Sequence, residues 1–248
     1  MDPRLTSILI VDDDVDACSN LADILGDLGY EVVTANDGPS ALNKLRQKPF
    51  DVALLDLRMP GMDGLTLYRE IRKLRAGTVA LIVTAYATTE TTAEALAAGA
   101  WQVLPKPVDF KQLLPLVEKA SKEPLVMVVD DDHDLCENLW SLLRNTGFRV
   151  CVAHSKEEAR QLILGRSMQV VLIDLKLPDA DGQEVFRLVQ SSLPEARTVL
   201  ITGHRSETEE LVRQMVDEGV DAICYKPFDV PELLETIARL SQGGRAKS

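Results

Sequence analysis

No stretch of this sequence approaches the roughly 20 consecutive apolar residues that a membrane-crossing helix needs, although 46% of its 248 residues are hydrophobic. Membrane insertion is not expected. The first residues, Met1 to Ser7, carry neither the basic nor the apolar region of a secretory signal, so a cytoplasmic protein is expected. Basic residues are in short supply: 27 Lys and Arg stand against 39 Asp and Glu, leaving a formal net charge of −12. Such a surface repels phosphate backbones and argues against direct nucleic-acid binding. Cysteine is scarce as well. Cys18, Cys136, Cys151 and Cys224 show no Cys-x-x-Cys spacing, which leaves neither a thiolate metal site nor a redox pair to argue for. Buried free thiols are expected.

What is present is present twice. Asp12-Asp13, Asp56, Thr84 and Lys106 recur as Asp130-Asp131, Asp174, Thr202 and Lys226. The steps from 12 to 130, 56 to 174 and 84 to 202 are each 118 residues, and the step from 106 to 226 is 120. The chain is therefore an internal duplication, and its length suits two domains of ordinary size: residues 1–122, residues 123–242 and a polar tail at 243–248. A last helix from Asp109 to about Lys122, locally distorted at Pro115, closes the first half. Pro124 follows almost at once, leaving no flexible spacer.

Short β-branched runs alternate with amphipathic stretches in both halves. Strands are expected near Ile8–Val11, Glu31–Ala35, Val52–Leu55, Val79–Thr84 and Gln102–Leu104, then near Val126–Val129, Arg149–Ala153, Val170–Ile173, Thr198–Thr202 and Ala222–Cys224. Ile8-Leu9-Ile10-Val11 and Val170-Val171-Leu172-Ile173 show no apolar-polar alternation. Both faces of such strands must be buried, as in a parallel sheet between helices. Between the strands, Leu135, Leu139, Leu142 and Leu143 form one helical stripe. Gly29, Gly99, Gly147 and Gly219 are placed to end helices in the left-handed conformation. The expected fold is α/β: two doubly wound flavodoxin-like (βα)5 domains, each with a five-stranded parallel sheet.

On that frame the repeated polar residues all fall beyond the carboxyl ends of strands, where a doubly wound sheet binds its ligands. Asp12 and Asp13 follow the first strand, Asp56 the third, Thr84 ends the fourth and Lys106 follows the fifth. Clustered carboxylates repel and raise one another's pKa, and a hard divalent cation such as Mg2+ would neutralise them. An oxygen of Asp56 could then attack a phosphoryl group in line, while the Lys106 ammonium and the Thr84 hydroxyl hold the equatorial oxygens. Asp109 and Asp229 have the simpler expected role of capping the last helix of each half.

The strings Ile-Val-Asp-Asp-Asp (10–14), Leu-Leu-Asp-Leu-Arg-Met-Pro-Gly-Met-Asp-Gly (54–64), Val-Thr-Ala (83–85) and Pro-Lys-Pro (105–107) resemble a response-regulator receiver domain of two-component systems. Val-Val-Asp-Asp-Asp (128–132), Ile-Asp-Leu-Lys-Leu-Pro-Asp-Ala-Asp-Gly (173–182), Ile-Thr-Gly (201–203) and Tyr-Lys-Pro-Phe (225–228) resemble it again. The resemblance implies that Asp56 and Asp174 are phosphoacceptors. It implies that Asp12, Asp13 and Asp56, with the backbone carbonyl of Arg58, bind Mg2+, and that Asp130, Asp131 and Asp174, with the carbonyl of Lys176, do the same. Mn2+ or Ca2+ could stand in for it. Thr84 and Thr202 would sense the phosphoryl group and Lys106 and Lys226 would contact it, with cis Lys106-Pro107 and Lys226-Pro227 bonds. The implied donor is a phosphohistidine on a sensor histidine kinase or a phosphotransfer protein. An unidentified downstream protein would read the signal, and a dimer could form through the face of the fourth helix, fifth strand and fifth helix.

Departures from the pattern bear on output. The aromatic residue that usually stands three before the lysine is replaced by Val103 and Ile223, so a large ring displacement is not expected in either half. Tyr86 stands opposite His204 and Arg58 opposite Lys176, at positions where attacking water would approach, so the two aspartyl phosphates should differ in lifetime. His133 is expected at a helix start rather than on a metal. After Leu240 no DNA-binding, cyclic-dinucleotide or kinase motif remains, which suggests a tandem receiver acting by protein contact or a piece of a hybrid histidine kinase or longer regulator. A receiver pair that has lost phosphorylation and serves as a scaffold is the alternative. A haloacid-dehalogenase-type phosphatase is disfavoured, because Asp56 and Asp174 lack the Asp-x-Asp motif. The chain is expected to turn over no separate substrate.

Overall fold

The computed structural model describes residues 5–75, 77–164, 167–177, 181–203 and 209–242. Two of the positions singled out above, His204 and the tail at 243–248, lie outside the described residues. The chain divides into two compact units, Met1–Glu123 and Pro124–Ser248. The first runs β1 (Ser7–Val11), α1 (Val15–Asp27), β2 (Glu31–Ala35), α2 (Gly38–Gln47), β3 (Val52–Leu55), α3 (Gly64–Arg75), β4 (Val79–Thr84), α4 (Thr89–Ala97), β5 (Gln102–Pro105) and α5 (Phe110–Lys122). The second repeats it as β6 (Leu125–Val129), α6 (His133–Asn145), β7 (Arg149–Ala153), α7 (Lys156–Ile163), β8 (Val170–Asp174), α8 (Gly182–Ser192), β9 (Arg197–Thr202), α9 (Glu209–Asp217), β10 (Ala222–Tyr225) and α10 (Val230–Gln242). Each expected strand is present, within one residue at either end.

Both sheets are wholly parallel and doubly wound. The orders β2-β1-β3-β4-β5 and β7-β6-β8-β9-β10 are the same order in each unit. The missing alternation in β1 now has a structural cause. Ile8 and Ile10 pack with Cys18 and Leu25 of α1 and with Leu113 and Val117 of α5. Leu9 and Val11 face the other way, onto Ala41 and Leu45 of α2 and Leu67 and Ile71 of α3. Helices cover both faces, so every position of the strand must be apolar. In the second unit Val126 and Val128 meet Leu139 and Leu143 of α6, the core side of the leucine stripe, with Leu135 and Leu142 half-buried at its margin.

Helix ends follow the chemistry of their residues. Gly29 and Gly147 take φ of 89° and 98°, as do Gly99 and Gly219 at 102° and 105°. At the first two, the amides of Tyr30 and Phe148 reach back to the carbonyls of Leu25 and Leu143 at 3.1 Å, which closes the helix with its last carbonyls satisfied. Asp109 and Asp229 accept the amides of Lys111 and Glu232 at 2.9 and 3.0 Å, so both are caps, as expected. The helix α5 runs through Pro115 without interruption. Among the described residues no helix is long and apolar enough to cross a membrane.

One close approach ties the fold to the strand-end loops. A Cβ on Gly64 would lie 2.2 Å from the carbonyl oxygen of Asp56, and one on Gly182 2.5 Å from that of Asp174. These contacts are with backbone, so an alanine must push the start of α3 or α8 off the preceding loop. Gly64→Ala and Gly182→Ala are each expected to lower stability by about 2 kcal/mol or more. In α1, Gly26 has nothing within 4 Å of a Cβ, so Gly26→Ala should raise stability by about 0.5 kcal/mol. Urea unfolding of the three variants checks both signs; a neutral Gly64→Ala would refute the close approach.

Candidate functional site

In an open sheet the crevice opens where the strand order reverses, which here is between β1 and β3 and between β6 and β8. Register then decides what meets there. Val11 pairs with Leu55, and the Asp56 amide donates to the Val11 carbonyl at 2.8 Å, so the next residues, Asp12 and Asp56, stand side by side. Val129 pairs with Ile173, which sets Asp130 beside Asp174. Thr84 and Thr202 close the adjacent strands. The amides of Lys106 and Lys226 donate to the carbonyls of Thr84 and Thr202 at 2.9 Å, which brings each lysine to the same rim. Among the described residues nine polar or charged side chains are buried, and six of them are Asp12, Asp56, Thr84, Asp130, Asp174 and Thr202. Burying charge is costly unless it is paired, so this concentration at one end of each sheet marks a site.

The pairing comes from the chain itself. Lys106 Nζ lies 2.5 Å from Asp12 Oδ2 and 3.5 Å from Asp56 Oδ2. Lys226 Nζ lies 2.7 Å from Asp130 Oδ2 and 2.8 Å from Asp174 Oδ1. The expectation that the acidic clusters would repel themselves without a bound cation is thus corrected: the ammonium is the resident counter-charge. Burial raises the Asp56 carboxyl above its usual range; Lys106 opposes this and Asp12 adds to it. Asp174 is raised for the same first reason, opposed by Lys226. Desolvation therefore outweighs the mutual carboxylate repulsion that the sequence pointed to. Burial pulls the lysines down, but the carboxylates outweigh it and hold both ammonium groups above their ordinary value.

The three consecutive aspartates divide their work. Asp12 is buried and Asp13 exposed, while Asp14 caps α1 by accepting the amides of Asp16 and Ala17 at 3.1 and 3.0 Å. Asp132 caps α6 through the amide of Leu135 at 3.0 Å. Carboxylate oxygens of Asp12, Asp13 and Asp56 come within 4.8 Å of one another, a separation that one oxygen-ligated cation can span. Among the described residues Asp130, Asp131 and Asp174 form no such group. Both Lys-Pro bonds, Lys106-Pro107 and Lys226-Pro227, are cis, as the resemblance implied.

Several neighbours were not legible as such in the sequence. The Arg58 guanidinium stacks 3.8 Å from the centroid of the Tyr86 ring. In the second unit the rings of His133 and His154 stack at 3.8 Å, within 4° of parallel. Their Nδ1 atoms lie 3.0 and 3.1 Å from the carbonyl oxygens of Asp131 and Asp130, respectively. His133 opens α6, as expected. At the positions of the missing aromatic residue, Val103 is half-buried against the core and Ile223 lines a cavity of about 260 Å3 with Cys224, Tyr225 and Phe228. All four cysteines are free, and only Cys224 is less than fully buried. Burial pushes the Cys136 thiol up to about 12, which leaves it unreactive.

The chain is similar to known proteins over most of its length. The response regulator receiver domain family model matches residues 8–118 and again 126–238. A response regulator receiver protein of Anaeromyxobacter sp. (strain Fw109-5) is 36% identical over 232 residues, covering 94% of each chain. The transcriptional regulatory protein ZraR of Escherichia coli (strain K12) is 45% identical over 113 residues, 46% of this chain and 26% of its own length. A CheY-like receiver domain from Methanospirillum hungatei JF-1, known by crystal structure, is 37% identical, covers 46% of this chain and 92% of its own, and superposes with a TM-score of 0.44. With the family model matched twice and a relative covered nearly end to end, this chain is a tandem member of the response regulator receiver domain family.

Proposed function

We propose that both units accept a phosphoryl group from a phosphohistidine, on Asp56 in the first and on Asp174 in the second. The observation that carries this reading is the twofold recurrence, at the same strand ends, of a buried aspartate within reach of a lysine ammonium, with a buried threonine on the next strand. A carboxylate oxygen of Asp56 or Asp174 would attack phosphorus in line; the new O–P bond forms as the P–N bond to the donor imidazole breaks, and the imidazole leaves with a proton from solvent. Lys106 and Lys226 are within a small movement of the incoming oxygens, and the Thr84 and Thr202 hydroxyls stand at the same rim.

A divalent cation would neutralise the acidic rim. In the first unit Asp12, Asp13 and Asp56 would hold it, with the Arg58 carbonyl; in the second Asp130, Asp131, Asp174 and the Lys176 carbonyl would. Mg2+, or Mn2+ or Ca2+ in its place, would supply charge neutralisation for the transferred group. The chain's own groups do the remainder: they bind, orient and shed the phosphoryl group without turning over a separate substrate. The donor is a sensor histidine kinase or phosphotransfer protein, and the output is contact with a further protein in the cytoplasm.

Incubating the wild type, Asp56→Ala, Asp174→Ala and the double variant with acetyl phosphate and Mg2+ should give two, one, one and no covalent phosphates by intact mass. No phosphate on the wild type would overturn the reading in favour of a phosphorylation-independent scaffold.

The two phosphates should not last equally long. In the first unit the Arg58 guanidinium lies over the Tyr86 ring, and a stack at these two positions would hinder water on its way to Asp56, whereas Lys176 occupies the Arg58 position in the second. A stacked cation of this exposed kind contributes about 0.5–1 kcal/mol. Tyr86→Ala should therefore speed loss of phosphate from the first unit by roughly two- to fivefold, measured in an Asp174→Asn background. Equal lifetimes for Asp56 and Asp174 phosphates in the two single Asp→Asn variants would sink the idea.

A further inference from the structure

The two lysines do not hold their carboxylates in the same way. In the first unit Lys106 is close to Asp12 at 2.5 Å and distant from Asp56 at 3.5 Å, and the oxygens of Asp12, Asp13 and Asp56 still converge within 4.8 Å. In the second unit Lys226 donates to Asp130 Oδ2 at 2.7 Å and to Asp174 Oδ1 at 2.8 Å at once. Backbone amides hold the other oxygens, as in the first unit, where Asp12 Oδ1 accepts the amide of Asp14 at 3.0 Å, so the difference between the units lies in the lysine. Asp130 Oδ1 accepts the amide of Asp132 at 3.0 Å, and Asp174 Oδ2 accepts the amide of Lys176 at 2.7 Å. The loop that carries Asp131 is also fastened. The carbonyls of Asp130 and Asp131 each meet Nδ1 of one ring of the stacked His154–His133 pair. In the first unit the corresponding carbonyl of Asp12 meets no histidine ring; its contacts are Asn36 Nδ2 at 3.4 Å and the Cys18 thiol.

We infer that the two acidic pockets take up a divalent cation unequally: the first readily, the second only when Lys226 is displaced from its bridge between Asp130 and Asp174. This rests on the reading that both pockets hold such a cation. The physical reason is competition for the same lone pairs. A cation entering the first pocket meets oxygens already gathered, with one strong lysine bond to yield. In the second it must break two charge-assisted bonds and draw Asp131 inward against the tethered loop. One additional bond of this kind corresponds to about a tenfold difference in affinity. The first unit would then be ready for phosphoryl transfer at a cation concentration where the second is still closed by its own lysine.

Titrating the full, unphosphorylated chain with Mn2+ and counting free ion by electron paramagnetic resonance tests this. Two classes of site, about tenfold apart, are expected. Asp13→Asn should remove the tighter class and Asp131→Asn the weaker; both residues are exposed, so these variants keep the fold. Lys226→Met should bring the second site close to the first. Two sites of equal affinity, or loss of the tighter class in Asp131→Asn, would overturn the inference while leaving the proposed function standing. No Mn2+ bound at either site would overturn both.

Discussion

A half-buried lysine ammonium set against buried aspartates is the interaction on which the chemistry of each unit depends. Asp12, Asp56, Asp130 and Asp174 are each less than a tenth exposed. Without Lys106 and Lys226 each pair would be two like charges in a poorly solvated cleft, a cost that protonation or a bound cation would have to offset. With the lysines in place that charge is balanced where the parallel register between β1 and β3, and between β6 and β8, ends. The cost of desolvation is still visible in the raised Asp56 and Asp174 carboxyls. A site that holds its own counter-charge is stable when empty and has that charge ready when an anionic group arrives.

The fold supplies this arrangement through topology. In a parallel doubly wound sheet all strands present their carboxyl ends to one rim, and the order reversal leaves one crevice in it. Residues 44 positions apart, such as Asp12 and Asp56, become neighbours because Val11 and Leu55 are in register. The glycines that begin α3 and α8 matter for the same reason, since their bare Cα atoms let each helix start against the carbonyl of Asp56 or Asp174. Duplication copied this frame whole, and divergence since then has fallen on the surroundings: Arg58 with Tyr86 in one unit, His133 with His154 in the other.

Most of the frame was legible in the sequence, and for clear reasons. Two-faced burial of β1 and β8 requires unbroken apolar runs, so Ile8–Val11 and Val170–Ile173 could be assigned without a structure. Gly29, Gly99, Gly147 and Gly219 announce helix ends because positive φ is costly for other residues. The membership of the site was legible too, because strand ends converge whatever the side-chain rotamers. Its internal wiring was not. Whether Asp14 serves the cleft or caps a helix, whether a lysine bridges two carboxylates or favours one, and whether two histidines 21 positions apart stack are decided at the scale of single rotamers. Sequence spacing carries no information at that scale, and the repeat even misleads, since it makes the two clusters look alike.

The central claim is that each unit has an acidic rim able to seat a tetrahedral phosphoryl-like group on its aspartate. Beryllofluoride, which bonds to a carboxylate oxygen and presents three fluorines where phosphoryl oxygens would lie, tests it without any kinase. With Mg2+ present, 19F resonance spectra of the full chain should show two sets of bound signals. One set should vanish in Asp56→Asn and the other in Asp174→Asn. A wild-type chain that shows no bound fluorine signal, or signals indifferent to both substitutions, would contradict the account.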